Sequence, residues 1–255
     1  MDTQAADLKF HNFMRQRTIK RETRQIFDLI LKRLLRLSNV AVIQFINGLF
    51  DTDHPLDGMV EYPNTESVSS KLKQLLSDMI VIINGRHAYH VEAEIGHDEN
   101  IALRVFEYGF AEGLRTKTIS GGGQKISVKF PNARIIYWET TASMPDEATL
   151  SLEFSDGGSY DYVVKTFKFL NYGINELEEK KLAILLPFYV LKLRKRVVSA
   201  RDSKRRAELY AEMKAMLDEL MAAEERAVNV GLLNVTDGRV VLEYTKAVQR
   251  TLSRV

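Results

Sequence analysis

Cysteine is absent from the 255 residues, which excludes disulfide bonds and thiolate metal sites within this chain. That absence is typical of proteins in a reducing compartment, and we expect a cytoplasmic location. No apolar run approaches the roughly 20 residues that a membrane-spanning helix needs. The first residues, MDTQAADLKFHNF, also lack a basic segment followed by an apolar one, the pattern of a secretory signal. We therefore expect no contact with a membrane.

A strong net charge is lacking as well. The 36 Lys and Arg residues nearly balance the 34 Asp and Glu residues, which leaves a net charge of +2. Overall basicity therefore does not mark the chain as a nucleic-acid-binding protein. Hydrophobic residues at 45% and charged residues at 27% are ordinary for a globular protein. The length allows one large domain, or one domain with a helical appendage.

What the sequence does contain is a group of acidic residues in a strand–turn–strand–helix pattern. Asp78–Ile83 and His87–Ile95 are rich in the residues that favour strands, and Asn84-Gly85 marks a tight turn between them. The segment Asp98–Leu114 has apolar residues at helical spacing, and Asp98 is its expected N-cap.

The length of the turn decides whether the acids of the two strands converge. Glu92 and Glu94 are two residues apart, so they point to the same face. A two-residue turn would send Glu92 to the face opposite Asp78, whereas a three-residue loop pairs Ile83 with His87 and brings Asp78 opposite Glu92. We expect convergence, because carboxylates gathered on one face are costly unless a cation binds between them. A hard cation with oxygen ligands, magnesium above all, fits such a site.

Several segments resemble one known family when they are taken in order. They are FDLILKRLL at 27–35, FINGLF at 45–50, Asp78, HVEAE at 90–94, ALRVFEY at 102–108, LEEKKL at 177–182 and LLPF at 185–188. An Asp on one strand, Glu-x-(Lys/Gln/Glu) on the next and then a helix resembles the core of the PD-(D/E)XK nuclease superfamily. The ordered set, over roughly residues 22–198, resembles the Rpn family of recombination-promoting nucleases, also called the PD-(D/E)XK nuclease family transposases.

The resemblance implies a Mg²⁺-dependent DNA endonuclease that hydrolyses phosphodiester bonds, with Mn²⁺ as a possible substitute. Asp78 and Glu92 would bind the metal together with the backbone carbonyl of Ala93, and Glu94 would position or deprotonate the attacking water. The substrate-binding residues that it implies are Arg104 and Tyr108, which would reach the scissile phosphate or brace the acids, and Lys32 and Asp28 at the rim.

Glu94 departs from the pattern of the family. This position is usually Lys in the superfamily and often Gln in the family. A Lys would place or polarise the water, whereas Glu94 must act as a base or help to bind a metal. An alternative function therefore stays open, in which a catalytically inactive nuclease-fold module binds DNA or a protein partner.

Three histidines near the acids offer a second metal hypothesis. His87 and His90 differ in parity along their strand, so we expect them on opposite faces. A zinc site also lacks the ligand spacing and a fourth ligand, and we do not predict one. His97 follows the acids in a loop and could contact substrate.

The rest of the chain predicts an α/β fold, with a central mixed sheet flanked by helices and a C-terminal helical extension. The resemblance implies that the core of this fold is restriction-endonuclease-like. We expect core helices at 22–37 and Val40–Phe50, the second ending near Gly48. Further strands of the same sheet are expected at 125–130, 134–139, 148–154 and 160–169. The predicted domains are a nuclease-like unit at 1–174 and the helical extension at 175–255.

The predicted extension begins with a charged stretch. Residues 192–206 contain eight Lys and Arg against one Asp. This run is either a DNA-facing patch or a solvated helix surface balanced by the acids after Glu208, and we prefer the second interpretation. A helix with a stripe of apolar side chains follows, through which the chain could form a homo-oligomer. The stripe consists of Tyr210, Met213, Leu217, Leu220 and Met221.

Overall fold

A computed structural model of the chain describes residues 26–63, 80–139, 144–193, 196 and 202–253. The helices are α1 (26–34), α2 (Asn39–Phe50), α3 (Ile101–Arg115), α4 (Ile174–Glu179), α5 (Ser203–Asn229) and α6 (Val235–Ser253). Short 3₁₀ segments lie at Gly121–Gly123, Phe169–Asn171 and Ala183–Val190. The strands are β1 (Val60–Glu61), β2 (Ile80–Ile83), β3 (His87–Glu94), β4 (Thr118–Ser120), β5 (Lys125–Ser127), β6 (Asn132–Tyr137), β7 (Glu147–Glu153) and β8 (Ser159–Lys168).

Six of the strands form one mixed sheet in the order β1-β2-β3-β6-β8-β7. The hairpins β2–β3 and β7–β8 are antiparallel, as is the pair β1–β2. β3 pairs in parallel with β6, and β6 in parallel with β8. A parallel pair needs a crossover connection, and α3 lies in the one between β3 and β6. The predicted α/β class with a central mixed sheet flanked by helices is confirmed.

Alternation along β3 assigns its side chains to two different helical layers. Val91, Ala93 and Ile95 belong to the main core, together with apolar side chains of α1, α2, the 3₁₀ segment Ala183–Val190, α5 and α6. On the other face, Ile101 and Val105 of α3 pack against the sheet in a separate cluster. The even-numbered residues of β3 therefore lie beneath α3.

The predicted strand at 125–130 is wrong in length and in place. β5 ends at Ser127 and pairs with β4 in a separate two-stranded ribbon. Val128 and Phe130 pack instead on α3, where Gly113 and Gly109 leave room for them. A Cβ at Gly113 would stand 2.3 Å from Val128 Cγ1, and one at Gly109 would stand 2.6 Å from Phe130 Cδ1.

The prediction that α2 ends near Gly48 is wrong. α2 begins after Ser38, whose side chain accepts a hydrogen bond from the N–H of Ala41, and it continues to Phe50. Asp51, at φ 55°, closes the helix in the left-handed conformation. Gly48 has a different role, because a Cβ there would stand 1.7 Å from the carbonyl oxygen of Lys180. The glycine therefore allows α2 to approach the turn after α4.

The described residues beyond 174 are mostly helical, as predicted, and their helices share the main core with the sheet. Leu220 of α5 and Val241 of α6 are fully buried in the same cluster as Val91 of β3. Gln44 of α2 donates hydrogen bonds to the carbonyls of Gly231 and Leu232. The division into two domains at residue 174 stays a prediction.

The predicted apolar stripe of α5 is partly wrong. Tyr210 and Met221 are 61% and 48% exposed, because the buried side of the helix follows a neighbouring line of residues. That line consists of Leu209, Met213, Leu220, Ala223 and Ala227. A homo-oligomer formed through the predicted stripe stays a prediction.

Part of the basic run lies outside the described residues, which include neither 194–195 nor 197–201. Two of its arginines are paired with acids: Arg196 with Glu212 at 2.6 Å and Arg205 with Glu208 at 2.8 Å. These pairs agree with a surface whose charge is balanced by the following acids. None of the helices in the described ranges is long and apolar enough to cross a membrane.

Candidate active site

The hairpin β2–β3 has the register that convergence of the acids requires. Ile83 pairs with His87 and Ile80 with His90, which confirms the three-residue loop. Asn84 and Gly85 adopt φ values of 53° and 64°, a conformation that these two residues tolerate best. Asp78 lies outside the described residues, so its place opposite Glu92 stays a prediction.

Glu92 and Glu94 lie side by side beneath α3. Their side chains share one face of β3, as predicted, and the residues are only 9% and 3% exposed. The Ala93 side chain points the other way, into the main core. Buried carboxylates require compensation by charge or hydrogen bonds, so the partners of these two are decisive.

Arg104 of α3 contacts both carboxylates. Its Nη2 lies 2.9 Å from Glu92 Oε1 and also contacts Glu94 Oε1. Because one nitrogen contacts both oxygens, the two carboxylates converge on one point. Nη1 lies 2.9 Å from Asp98 Oδ2, so a single guanidinium binds three acids.

Asp98 is therefore a partner of Arg104, and the prediction that it caps the helix is wrong. The N-cap of α3 is Asn100, and its side chain forms no capping hydrogen bond. The Asp98 side chain instead accepts a hydrogen bond from the backbone N–H of Asn100 at 2.9 Å. The attraction of a buried guanidinium places this carboxylate toward the site.

His90 belongs to the site, although its position in the sequence predicted neither a zinc ligand nor a catalytic residue. Its Nε2 lies 3.5 Å from Glu92 Oε2, and its ring centroid is 5.5 Å from that of Tyr108. Both ring nitrogens are buried and form no hydrogen bond within the described part of the chain. The signal was present in the sequence, because His90 has the same strand parity as Glu92.

The other histidines lie elsewhere. The ring of His87 lies 4.9 Å from that of His54, on the opposite face of β3 from His90, as its parity predicted. His97 is exposed in the loop before α3.

The charges of the site stabilise one another. Burial alone would raise the pKa of Glu92, but contacts with His90 and Arg104 outweigh it and lower the pKa below the ordinary value of 4.5. Burial would lower the pKa of Arg104, but Glu92, Glu94 and Asp98 together raise it. Burial and the nearby carboxylates of Glu94 and Asp98 raise the pKa of Tyr137 on β6. Glu92 and Arg104 therefore remain charged at neutral pH.

The oxygen atoms present suit a hard cation such as Mg²⁺. Two carboxylates already converge on a positive group. The carbonyl of Glu94 accepts from Trp138 N–H of the β6 side at 2.8 Å. Since carbonyls alternate along a strand, the Ala93 carbonyl points toward the β2 side. Among the residues described, no group of three or more His, Asp or Glu side chains could bind a metal, so a complete ligand set needs Asp78 or backbone oxygens.

Of the remaining predicted residues, Tyr108 of α3 lies in the site beside His90. The structure does not place Asp28 and Lys32 of α1 there. The buried residues of α1 pack in the main core, on the opposite face of the sheet from Glu92. Asp28 and Lys32 are half-buried on this helix. Their position at the rim of the site stays a prediction.

No family model, no curated protein and no solved structure matches the chain.

Proposed function

We propose that this protein is a Mg²⁺-dependent endonuclease that hydrolyses phosphodiester bonds of DNA at the site beneath α3. The observation that carries the proposal is the convergence of the buried Glu92 and Glu94 carboxylates on a single cationic atom. This pair stands on the second strand of a hairpin that is followed by a helix, which is the order of the PD-(D/E)XK core. The parallel strand β6 after that helix supports a restriction-endonuclease-like fold.

The charge balance of the site favours a further cation. Glu92, Glu94 and Asp98 contribute three negative charges, and Arg104 contributes one positive charge. A buried ion pair is rarely worth more to stability than apolar residues of the same volume. The excess of negative charge is therefore better explained by binding of a divalent ion than by stability alone.

Each residue has a distinct role in the proposed reaction. Asp78, Glu92 and the Ala93 carbonyl would bind Mg²⁺, which when bound lowers the pKa of water and neutralises charge on the phosphate. Glu94 positions the attacking water and accepts its proton. Arg104 donates hydrogen bonds to the phosphate oxygens while negative charge develops on them. The water oxygen forms a bond to phosphorus, the bond to the leaving sugar oxygen breaks, and that oxygen takes a proton from solvent.

A plasmid-nicking assay with Mg²⁺ or Mn²⁺ tests this proposal. Wild-type protein is expected to nick the plasmid, and Asp78→Ala and Glu92→Gln are expected to abolish nicking. Glu94→Gln should keep the fold and slow cleavage by roughly 10² to 10⁴-fold, the usual contribution of a positioned base. The matched control is Glu107→Gln, which removes an exposed carboxylate from α3 and should leave the rate unchanged.

Three outcomes of the same assay would contradict or change the proposal. A wild-type protein that is silent with either metal would contradict the proposal. Glu94→Gln as active as wild type, in a preparation where Asp78→Ala is inert, would remove Glu94 from the mechanism. Glu94→Lys that is faster than wild type would show that the common superfamily residue suits the site better.

A second function is favoured by the three contacts of Arg104. Through these contacts a cation of the protein itself neutralises the acids. Such internal neutralisation is expected for a nuclease fold that binds DNA or a protein partner and does not cleave DNA. Such a module would shift DNA in a gel with or without Mg²⁺ and would leave a plasmid intact. Binding lost in EDTA, together with nicking in Mg²⁺, would exclude it.

A further inference from the structure

A cavity lies at the other end of α3 from the acids. Its volume is about 630 Å³, within the range of small-molecule sites. Ala88 of β3 lines it, four residues before Glu92. At the rise of a strand this is a separation of about 13 Å along β3, so the cavity is a separate site.

The walls of the cavity come from four parts of the fold. They are the β2–β3 hairpin around its loop, the last turn of α3, the open end of the β4–β5 ribbon and the segment leading into β6. Gly113 lets this last segment approach, because a Cβ there would meet Val128 Cγ1 at 2.3 Å and the Lys129 carbonyl oxygen at 3.2 Å. The backbone of residues 128–129 therefore packs closely on α3, and this contact determines the position of the wall that contains Lys129.

The cavity is lined by more positive than negative side chains. Arg86, Arg115 and Lys129 contribute three positive charges, and Glu112 is the single carboxylate of the lining. Arg86 and Lys129 form no ion pair with any residue in the described ranges, so their charge is not compensated there. The surplus is positive, which attracts an anion.

The third cation is fixed in place by a buried acid. Glu112 is 1% exposed and accepts hydrogen bonds from Arg115 Nε at 2.8 Å and Nη2 at 2.6 Å. This bidentate contact orients the guanidinium at the end of α3, where the helix carbonyls carry partial negative charge. Arg115 offsets that partial charge, so the helix end does not repel an anion.

Neutral donors complete the lining. Thr118 and Ser127 are directly opposite each other in the ribbon, and both line the cavity. Asn132, the first residue of β6, lines the same wall. Hydroxyl and amide groups next to Arg and Lys are the usual partners of phosphate oxygens.

We infer that this cavity binds a phosphate group, with Arg86 and Lys129 as its main partners, supplied either by a free nucleotide or by the backbone of a nucleic acid. The volume has room for a nucleotide and not only for an inorganic ion. The inference does not depend on cleavage at Glu92 and Glu94, because it uses different residues and needs no metal.

Calorimetric titration of the full chain in EDTA tests the inference. The probes are adenosine 5′-monophosphate, adenosine as the ligand without phosphate, and a short single-stranded oligonucleotide. We expect one site for the monophosphate or the oligonucleotide and no heat from adenosine. Each of Arg86→Gln and Lys129→Gln should weaken binding about tenfold, the loss expected for one charge-assisted hydrogen bond.

The matched control is Lys125→Gln, which removes an exposed cation from the same ribbon outside the cavity lining. It should change the affinity by less than twofold. Binding of the monophosphate would identify a nucleotide site, and binding of the oligonucleotide alone would identify a nucleic-acid backbone. No binding of either phosphate probe at millimolar concentration overturns the inference, as does equal weakening by Lys125→Gln. EDTA excludes metal-dependent cleavage, so these results are independent of the nuclease proposal.

Discussion

At the scale of single residues, Arg104 is the side chain on which the buried acids depend. Its guanidinium contacts Glu92, Glu94 and Asp98 beneath α3. Strand parity alone predicted that the two glutamates share a face. Parity could not predict the contact with Arg104, which depends on how α3 crosses the sheet, and only the resemblance placed this residue at the site.

Replacement of Arg104 should destabilise the fold strongly. Arg104→Gln leaves two buried carboxylates without their cation, and a loss of about 3–5 kcal/mol is typical of a broken buried pair. The Glu92 pKa is lowered in the folded state, so its stabilisation is present above the unfolded value of 4.5 and is lost as pH falls through the folded pKa. The difference between variant and wild type should therefore shrink in acid.

Urea denaturation at neutral and acidic pH measures this loss. Arg205→Gln is the control, because Arg205 forms an exposed ion pair with Glu208 and should matter by less than about 1 kcal/mol. Equal stability of Arg104→Gln and wild type at pH 7 would contradict the role of Arg104 as the compensating charge.

Glu224 is a second buried acid, with the opposite pH behaviour. It is 4% exposed on α5, and burial raises its pKa to about 7, although Thr245 and Lys246 act to lower it. Between the unfolded value of 4.5 and about 7 the folded state binds more protons than the unfolded state. Stability therefore falls as pH rises through this range.

Glu224→Gln should remove that pH dependence. The Gln side chain has no charge to bury, so the variant should exceed wild type at pH 8 by up to about 3 kcal/mol and gain nothing near pH 4. Melting curves across this range, with the exposed Glu225→Gln as control, measure the effect. A constant difference between Glu224→Gln and wild type at all pH values would contradict a titrating Glu224.

At the scale of elements, the β2–β3 hairpin was predictable and the β4–β5 ribbon was not. Asn84-Gly85 between two apolar runs determines a local turn, and the register follows from the loop length. Residues 125–130 alternate like a strand of the sheet, yet Val128 and Phe130 pack on the glycines of α3. The position of residues 128–130 depends on contacts with α3, and the local alternation of apolar residues does not predict such contacts.

The same kind of contact explains Gly48 in α2. Gly48→Ala gains about 1 kcal/mol of helix propensity, but its Cβ would stand 1.7 Å from the carbonyl oxygen of Lys180, a backbone atom that cannot rotate away. We expect a net loss of about 1–3 kcal/mol, as for other overpacked sites. Thermal unfolding measures it.

Gly238→Ala is the matched control within α6. Its Cβ would meet a methyl group of the Val228 side chain at 2.5 Å, which is a longer contact than the 1.7 Å at Gly48 and is made with a side chain, not with the backbone. The loss should therefore be smaller than at Gly48. A Gly48→Ala protein as stable as wild type would contradict the close approach of α2 to the turn after α4.

At the scale of the whole molecule, the sheet separates a structural layer from a layer that contains the candidate site. The main core joins helices from both ends of the described chain on one face, and of the helices that the structure describes α3 covers the acids on the other face. The α/β class and the mixed sheet were predictable from the order of strands and helices. The extent of the shared core was not, because apolar periodicity shows that a helix is buried but not against what.

The central claim is that the acids beneath α3 bind a divalent cation, and titration of the intact protein with Mn²⁺ or Mg²⁺ by calorimetry tests it most directly. We predict heat that fits one or two sites, and a stabilisation of about 2.7 kcal/mol at a hundredfold excess over the Kd. The double variant Glu92→Gln/Glu94→Gln, whose charge no longer requires a cation, should show neither effect. The absence of heat and of any melting-temperature shift in wild type, or undiminished binding by the double variant, would contradict the claim.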